Sequence, residues 1–413
     1  MATIRPFYCV RPRQDMAQLV AALPYDVYNR EEAVEVVKDA PKSFLNIDRP
    51  ETQFPIETDM YGQQIYEKAR QLLDEWILDG TFMKEDTRCY YLYELTMNGR
   101  SQTGVVACVS IDDYENEVIK KHENTRREKE EDRIRHVDVC SAQTGPIFLA
   151  SKDDQELNEK VIQWKEQEAL YDFIAEDGIR HRVFRIDGEV EISYLTNHFA
   201  KIPALYIADG HHRTASAVRV GQMRRKLHKN YTGEEEFNYF LSVIFPENEL
   251  KIFDYNRVVC DLNGKTKEEF LDELSKCVTV EEKPERVKPV KKGQFGMYLD
   301  GRWYQLTYPQ EHIPNDVVEQ LDVSLLQNGI LEPILGIIDP KTDDRIQFVG
   351  GIRGLEELER LVDQGQAVAF SMYPTTMEEL FAVADNQRLM PPKSTWFEPK
   401  LRSGLFIHQI EEV

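Results

Sequence analysis

At 413 residues the chain is longer than one ordinary core serves, so two or three subdomains are expected, and its 41% hydrophobic and 10% aromatic content excludes a disordered polymer. A formal net charge of −22 excludes the broad basic face that holds a protein on a nucleic-acid backbone, leaving room only for a local basic pocket. The opening MATIRPFYCVRPR lacks the apolar core of a signal peptide, and no stretch approaches eighteen consecutive apolar residues, so a cytoplasmic protein with no membrane partner is expected.

In chain order, a strand is predicted over Thr3 to Val10, then the loop Leu23-Pro24-Tyr25-Asp26-Val27 and a helix over Glu31 to Lys38. From Asp59 to Asp79 apolar residues recur at three- and four-residue intervals and Gly80 follows as a stop, which predicts a helix. Strands Tyr90 to Met97 and Gln102 to Ile111 flank Asn98-Gly99, a hairpin turn signal. The charged run KKHENTRREKEEDRIRH reads on physics alone as a solvated helix laced with i,i+4 pairs. A buried strand over Ile147 to Ala150, a helix around Gln155 to Glu168 and strands near Tyr171 to Glu176 and His181 to Ile186 come next.

A composition shift marks Asp261 to about Lys292, where a helix (Lys267 to Cys277) runs into the polar EEKPERVKPVKKG, a linker or inserted subdomain. Strands Gln294 to Leu299 and Trp303 to Thr307 flank Asp300-Gly301. The last hundred residues alternate: helix Val317 to Gln327, strand Ile346 to Val349, helix Leu355 to Asp363, strand Ala367 to Met372, helix Thr376 to Asp385. The class is mixed α/β. Three regions follow: 1–260 with the core, 261–345 inserted or linking, and 346–413 packing back on the core. Six scattered cysteines, with no CxxC pair and no Cys/His cluster at ligand spacing, read as free thiols in a reducing compartment.

The chemistry concentrates in Ile202-Pro203-Ala204-Leu205-Tyr206-Ile207-Ala208-Asp209-Gly210-His211-His212-Arg213-Thr214, an apolar strand, a bend and a helix start. Unpaired N–H groups and the positive end of the helix dipole at such a bend form an anion site, to which Arg213 adds a bidentate fork. The bland alternative is an Asp209 that caps the helix and histidines that satisfy nearby backbone. Neither a GxxxxGK[ST] loop nor the protein-kinase motif set is present, and the glycines of Val349-Gly350-Gly351-Ile352-Arg353-Gly354 miss the dinucleotide spacing. Two adjacent histidines imply no metal. Near the C-terminus, MPPKSTWFEPK offers Lys393 and Lys400 as point charges and Ser394 or Thr395 as a hydroxyl ligand, or is an ordinary surface loop.

Four stretches, PYDV, KKHENTRREKEEDRIR, ADGHHRTASA and MPPKSTWFEPKLRSGL, together resemble one family, the domain-of-unknown-function 1015 family, over nearly the whole chain and in that family's order. The resemblance implies a ParB/sulfiredoxin-like phosphate-binding core with added α/β subdomains, in which Gly210-His211-His212-Arg213 matches the Gly-x-x-Arg-type box. It also implies free L-serine kinase activity, with ATP, ADP or pyrophosphate as phosphoryl donor and O-phosphoserine as product. Under that reading Asp209 or Glu123 is the base or the magnesium-binding carboxylate. His211, His212, Gly210, Arg213 and Thr214 form the phosphate cradle, and Lys121, His122 and Arg126 stabilise charge. Asp26 holds the substrate amine or a metal, and Asn256-Arg257 binds a carboxylate; many relatives carry His-Arg at the latter pair, which puts a histidine role there in doubt. The alternative class is a ParB-like nucleotide-binding regulator without kinase activity, disfavoured because the most basic helix, Val218 to Lys229, is one short patch. A sulfiredoxin-like thiol reaction is excluded, since GHHR contains no cysteine. The expected partner is a small-molecule substrate, and the oligomeric state is left open.

Overall fold

Tyr90–Met97 and Arg100–Ser110 pair antiparallel, Tyr91 opposite Val106 and Glu94 opposite Thr103. The turn between them places Asn98 and Gly99 at φ 51° and 77°, the left-handed pair whose twist matches the flanking strands. In this computed structural model, which describes residues 1–411, the chain divides into two compact units. The first holds residues 1–250 and the segment from Pro399, and the second is Lys251–Glu398.

The first unit is built on a nine-stranded sheet. Across it run Ile119–Lys120, Leu205–Asp209, Ile147–Ser151, Tyr239–Pro246, Arg100–Ser110, Tyr90–Met97, Arg180–Ile186 and Tyr171–Ile174, with Ile4–Arg5 pairing on Arg100–Ser110 off this path. Leu205–Asp209 lies parallel to Ile119–Lys120 and antiparallel to Ile147–Ser151. Leu149, Ile207, Leu205, Phe240 and Phe199 fill a core against the sheet, each contributing about 1.5–3 kcal/mol by leaving water. A second core of Phe44, Leu73, Trp76, Phe82 and Ile407 forms under the helix Gln63–Leu78 and a four-stranded sheet that includes Ile407–Gln409.

The second unit carries a six-stranded antiparallel sheet in the order Thr279–Lys283, Arg302–Thr307, Gln294–Leu299, Val368–Ser371, Tyr255–Val259, Ile346–Gly350. The helix Leu355–Asp363 covers it, burying Leu358 and Val362 beside Val258 and Ala369. Strands from 261–345 and from 346–398 share this one sheet, so the two stretches form one body rather than separate regions, and the chain leaves it inside the MPPKSTWFEPK loop.

Several elements depart from the sequence reading. Thr3 to Val10 becomes two strands, Ile4–Arg5 and Cys9–Pro12, which join different sheets. The long amphipathic helix starts at Gln63 behind Gly62, because its apolar period extends past the residues that hold helical backbone. The charged run is a loop over 121–126 and then a helix, Arg127–Cys140, that buries Arg133, His136 and Cys140 along one face. The helix expected over Val317 to Gln327 is α-helical only at Asp322–Leu326 and widens into a π turn at Gln327–Leu331. Strand Tyr239–Pro246, central in the first sheet, and helix Glu189–Phe199 had no assignment from sequence.

Asp322 opens that short helix and accepts the Gly293 N–H at 3.0 and 3.1 Å. Burial pushes its carboxyl up to about 7, with Glu379 adding to the rise while the Gly293 N–H and Lys292 oppose it. Between the ordinary 3.8 and about 7 the folded chain holds a proton that the unfolded chain has released, so this group makes unfolding free energy fall as pH rises through that window. Asp322→Asn should flatten that part of the pH–stability curve, measured by denaturant unfolding at pH 4, 5.5 and 7.

Candidate active site

The strand Leu205–Asp209 ends at the sheet's edge and the chain turns straight into the helix His211–Leu227. Gly210 makes the turn at φ 89°, ψ 32°, a conformation that disfavours any side chain. Thr214 is bound back to the Gly210 carbonyl by both its N–H (2.9 Å) and its hydroxyl (3.1 Å). The preceding N–H groups of the first turn have no intrahelical acceptor and point off the helix end. The helix approaches its neighbours closely at Gly221, where a Cβ would stand 2.5 Å from the Phe237 carbonyl oxygen.

Asp209 sits at the centre. Its Oδ2 accepts from Lys400 Nζ at 2.7 Å and its Oδ1 from the Gly210 N–H at 2.8 Å. Burial works to raise this carboxyl, but the Lys400 ammonium, the Arg213 guanidinium and the Gly210 N–H outweigh it and hold the group well below the usual carboxylate range. Arg213 is itself fixed: Nη1 donates to the Pro146 carbonyl at 2.9 Å, and Nη2 lies 3.9 Å from Asp26 Oδ1. Asp26 belongs to the turn Tyr25–Val27, which Arg49 pins by donating to the carbonyls of Tyr25 and Tyr28 at 3.0 and 2.6 Å.

The two histidines brace the neighbouring loop. His212 Nε2 accepts the Arg126 N–H at 2.9 Å, and His211 Nε2 meets the His122 N–H at 3.5 Å. The His122 and His211 rings stand edge to face, centroids 4.5 Å apart. Burial lowers His122 to about 4, against the pull of Asp209 and the Ile207 backbone. Burial first and His122 second put His211 well below its ordinary value, and burial with Lys129 lowers His212. All three rings are therefore neutral at pH 7 with Nε2 of His211 and His212 as acceptors. Lys121 stands 5.8 Å over the Tyr114 ring, and Glu123 lies half-buried in the same loop.

The first unit thus brings together Asp26, the 121–126 loop, Asp209 to Thr214 and Lys400. Asn256, Arg257, Lys393 and Ser394 belong to the second unit, where their recorded bonds are internal. Asn256 bonds Asp254 Oδ2 at 2.8 Å and accepts the Met372 N–H at 2.9 Å. Arg257 donates to the carbonyls of Tyr255 and Lys393, and burial lowers it to about 10. Ser394 Oγ donates to the Pro391 carbonyl at 2.6 Å, and Lys393 Nζ is 5.7 Å from the Tyr255 ring centre.

Sequence reasoning missed Arg133, Arg49 and Tyr25. Arg133 is buried with its guanidinium 4.1 Å over the Tyr25 ring and a bond to the Asp48 carbonyl at 3.2 Å. The signal was the spacing Arg133, His136, Cys140, one helix face that hydropathy hides because two of its three members are polar.

No group of three or more His, Cys, Asp or Glu side chains among the described residues is arranged to hold a metal. Asp209 Oδ2 meets the Lys400 ammonium and Oδ1 the Gly210 N–H, and each oxygen keeps a further lone pair. No helix among the described residues is long and apolar enough to cross a membrane.

Fold and site together define a mixed α/β protein with an anion-receptive strand–glycine–helix corner guarded by a carboxylate–ammonium pair. Residues 4–324 match the model of the family described as protein of unknown function (DUF1015), and the chain belongs to that family. Among curated proteins none matches this chain. Similar solved structures include a free serine kinase in complex with AMP, at 16% identity over 73% of this chain and 92% of that one with a TM-score of 0.37. A conserved hypothetical protein from Pyrococcus furiosus matches at 14% identity over 73% and 94%, TM-score 0.35. SbnI with a C-terminal truncation, from Staphylococcus aureus, matches at 13% identity over 72% and 85%, TM-score 0.38.

Replacing Lys400 with Met removes the largest stabiliser of ionised Asp209 while leaving its burial. The Asp209 carboxyl should then titrate at distinctly higher pH than in the parent protein, read from its carboxyl carbon by NMR. An unchanged titration would mean that Arg213 and the Gly210 N–H suffice to hold the charge.

Proposed function

We propose that this chain is a small-molecule phosphotransferase that transfers a phosphoryl group from ATP, ADP or pyrophosphate to the hydroxyl of free L-serine. The observation that carries the reading is the convergence, at one helix start, of first-turn N–H groups, Arg213 and a Lys400–Asp209 pair. The acceptor and the range of donors follow from the family resemblance of the four motifs, and the geometry supports the roles given below.

Phosphoryl transfer asks a protein mainly for positioning and for fixed positive charge on the moving group. Arg213 and Lys400 are the permanent cations of the corner, with Lys121 and Arg126 on the adjoining loop, whereas neutral His122, His211 and His212 give shape and hydrogen bonds but no charge. Asp209, held ionised far below neutral pH, is a weak proton acceptor and suits orienting the attacking hydroxyl and the Lys400 ammonium, while Glu123 on the adjoining loop is the carboxylate to take the hydroxyl proton as the phosphoryl group leaves its donor. Asp26, exposed and facing Arg213, is placed to receive the ammonium of the acceptor. Magnesium would arrive with the donor's phosphates and be held by them, by water and by one or two carboxylates, for which Asp209 and Glu123 are the candidates.

The deciding measurement is ³¹P NMR of the protein with magnesium, L-serine and each donor in turn, with a serine-free control. A phosphoserine signal is expected with at least one donor; its absence with all three would overturn the assignment and favour a nucleotide-binding regulator. Arg213→Ala should lower turnover by about 100-fold or more at nearly unchanged thermal stability, while Cys140→Ala should leave turnover near that of the parent. Equal losses in the two variants would mark the corner as structural.

A further inference from the structure

A cavity of the first unit, about 450 Å³, lies between the segment Gln18 to Leu45 and the turn Ala175-Glu176-Asp177. Its floor holds Arg402, 4% exposed, an uncommon burial for a guanidinium. Nε of Arg402 donates to His181 Nε2 at 3.3 Å and Nη2 to Asp177, while Nη1 makes no hydrogen bond among the described residues. His181 is kept as an acceptor: burial and the adjacent Arg402 lower it to about 3, and its Nδ1 bonds the Tyr93 hydroxyl at 2.8 Å. The buried chain Tyr93, His181, Arg402 therefore holds a rigid, permanently charged guanidinium, paired with Asp177 through Nη2, on the lining of an open cavity.

The rest of the lining narrows the ligand. Asp39, Glu176 and Asp177 stand against Lys42 and Arg402, and Lys42 is already taken by Asp79 at 2.8 Å and Thr81 at 2.9 Å. That balance opposes a polyphosphate. It suits one carboxylate on Arg402 and one ammonium near the acidic rim, with the apolar walls Leu19, Leu23, Val36 and Leu45 for a side chain. We propose that this cleft is a second ligand site, for a free zwitterionic α-amino acid with an apolar side chain.

The cleft also touches the catalytic corner. Tyr28 lines both this cavity and a smaller one of about 140 Å³ that includes Asp26, Lys129 and Arg133. A ligand packed on Tyr28 acts on the 25–28 turn that Arg49 pins and that sets Asp26 opposite Arg213. Occupancy of the cleft therefore adjusts the phosphotransfer site, a regulatory consequence that rests on the phosphotransferase reading, whereas the binding itself does not.

Isothermal titration calorimetry of the full chain with each of the twenty L-amino acids, and with the matched amines and carboxylic acids, tests the site without calling on activity. Binding of one or more apolar amino acids is expected, at least tenfold weaker in Arg402→Lys and in Val36→Trp, and unchanged in Arg213→Ala. Val36 is 36% exposed, so its substitution fills the cleft from the rim and keeps the test valid if Arg402→Lys fails to fold. No binding, equal binding of the deaminated acids, or affinity unaltered by Val36→Trp would overturn the site. If the amino acid binds but phosphoserine formation in the ³¹P assay does not change on its addition, the regulatory half is overturned and the site stands; a chain inactive with every donor fails the phosphotransferase reading alone.

Discussion

Lys400 and Asp209 are separated by 191 residues and by 2.7 Å. An entire second unit, Lys251–Glu398, lies between them in sequence, and the chain must come back out of it before the pair can form. Without Lys400, Asp209 would be a half-buried carboxylate beside a helix start with partial desolvation acting against its charge; with it, the charge is retained. The short segment after Pro399 thus does more than end the fold. It supplies a cation to the site, the buried Arg402 on the lining of the larger cavity, and the strand Ile407–Gln409 that joins the two halves of the smaller sheet.

The histidines of the motif take a role that their number alone does not suggest. Two neighbouring imidazoles beside an arginine invite a reading as acids, bases or ligands. Their Nε2 atoms instead receive backbone N–H groups of the loop at 122 and 126, bonds that require the neutral ring, and burial favours the same neutral form. Loop position and ring protonation reinforce each other, so the charged run after Lys120 is held against the corner by groups that would let go if they ionised.

Much of the corner was legible in the sequence because its logic is local. An apolar strand, one glycine and a helix-forming run within a dozen residues fix both the bend and the exposed N–H groups, and the Asn98-Gly99 hairpin is local in the same sense. What was not legible depends on long range. Tyr239–Pro246 is an apolar run that could have joined any sheet, and only pairing with Arg100–Ser110 and Ile147–Ser151 makes it central. The charged run looked solvated since Arg133 and His136 count as polar, yet both are buried by aromatic and backbone partners drawn from residues 25 to 48. Lys393 and Lys400 sat in one motif and looked alike, but the boundary between the two units falls between them.

The same physics lets a chain of net charge −22 carry a locally positive corner of the kind the proposed function needs. Long-range repulsion from scattered surface carboxylates is screened within about 8 Å at physiological salt, whereas groups inside the corner act at bonding distance and in poorer solvent. There the histidines contribute no charge, and Asp209 is cancelled by Lys400 at 2.7 Å. Arg213 stands 3.9 Å from exposed Asp26, a looser pairing that leaves much of its charge available. Under the proposed function, a donor phosphate would meet a local field set by Arg213 and the helix end rather than by the protein's total, and an acceptor ammonium at Asp26 would free Arg213 further. On the proposed phosphotransferase reading, binding of donor and acceptor would be coupled through that one guanidinium.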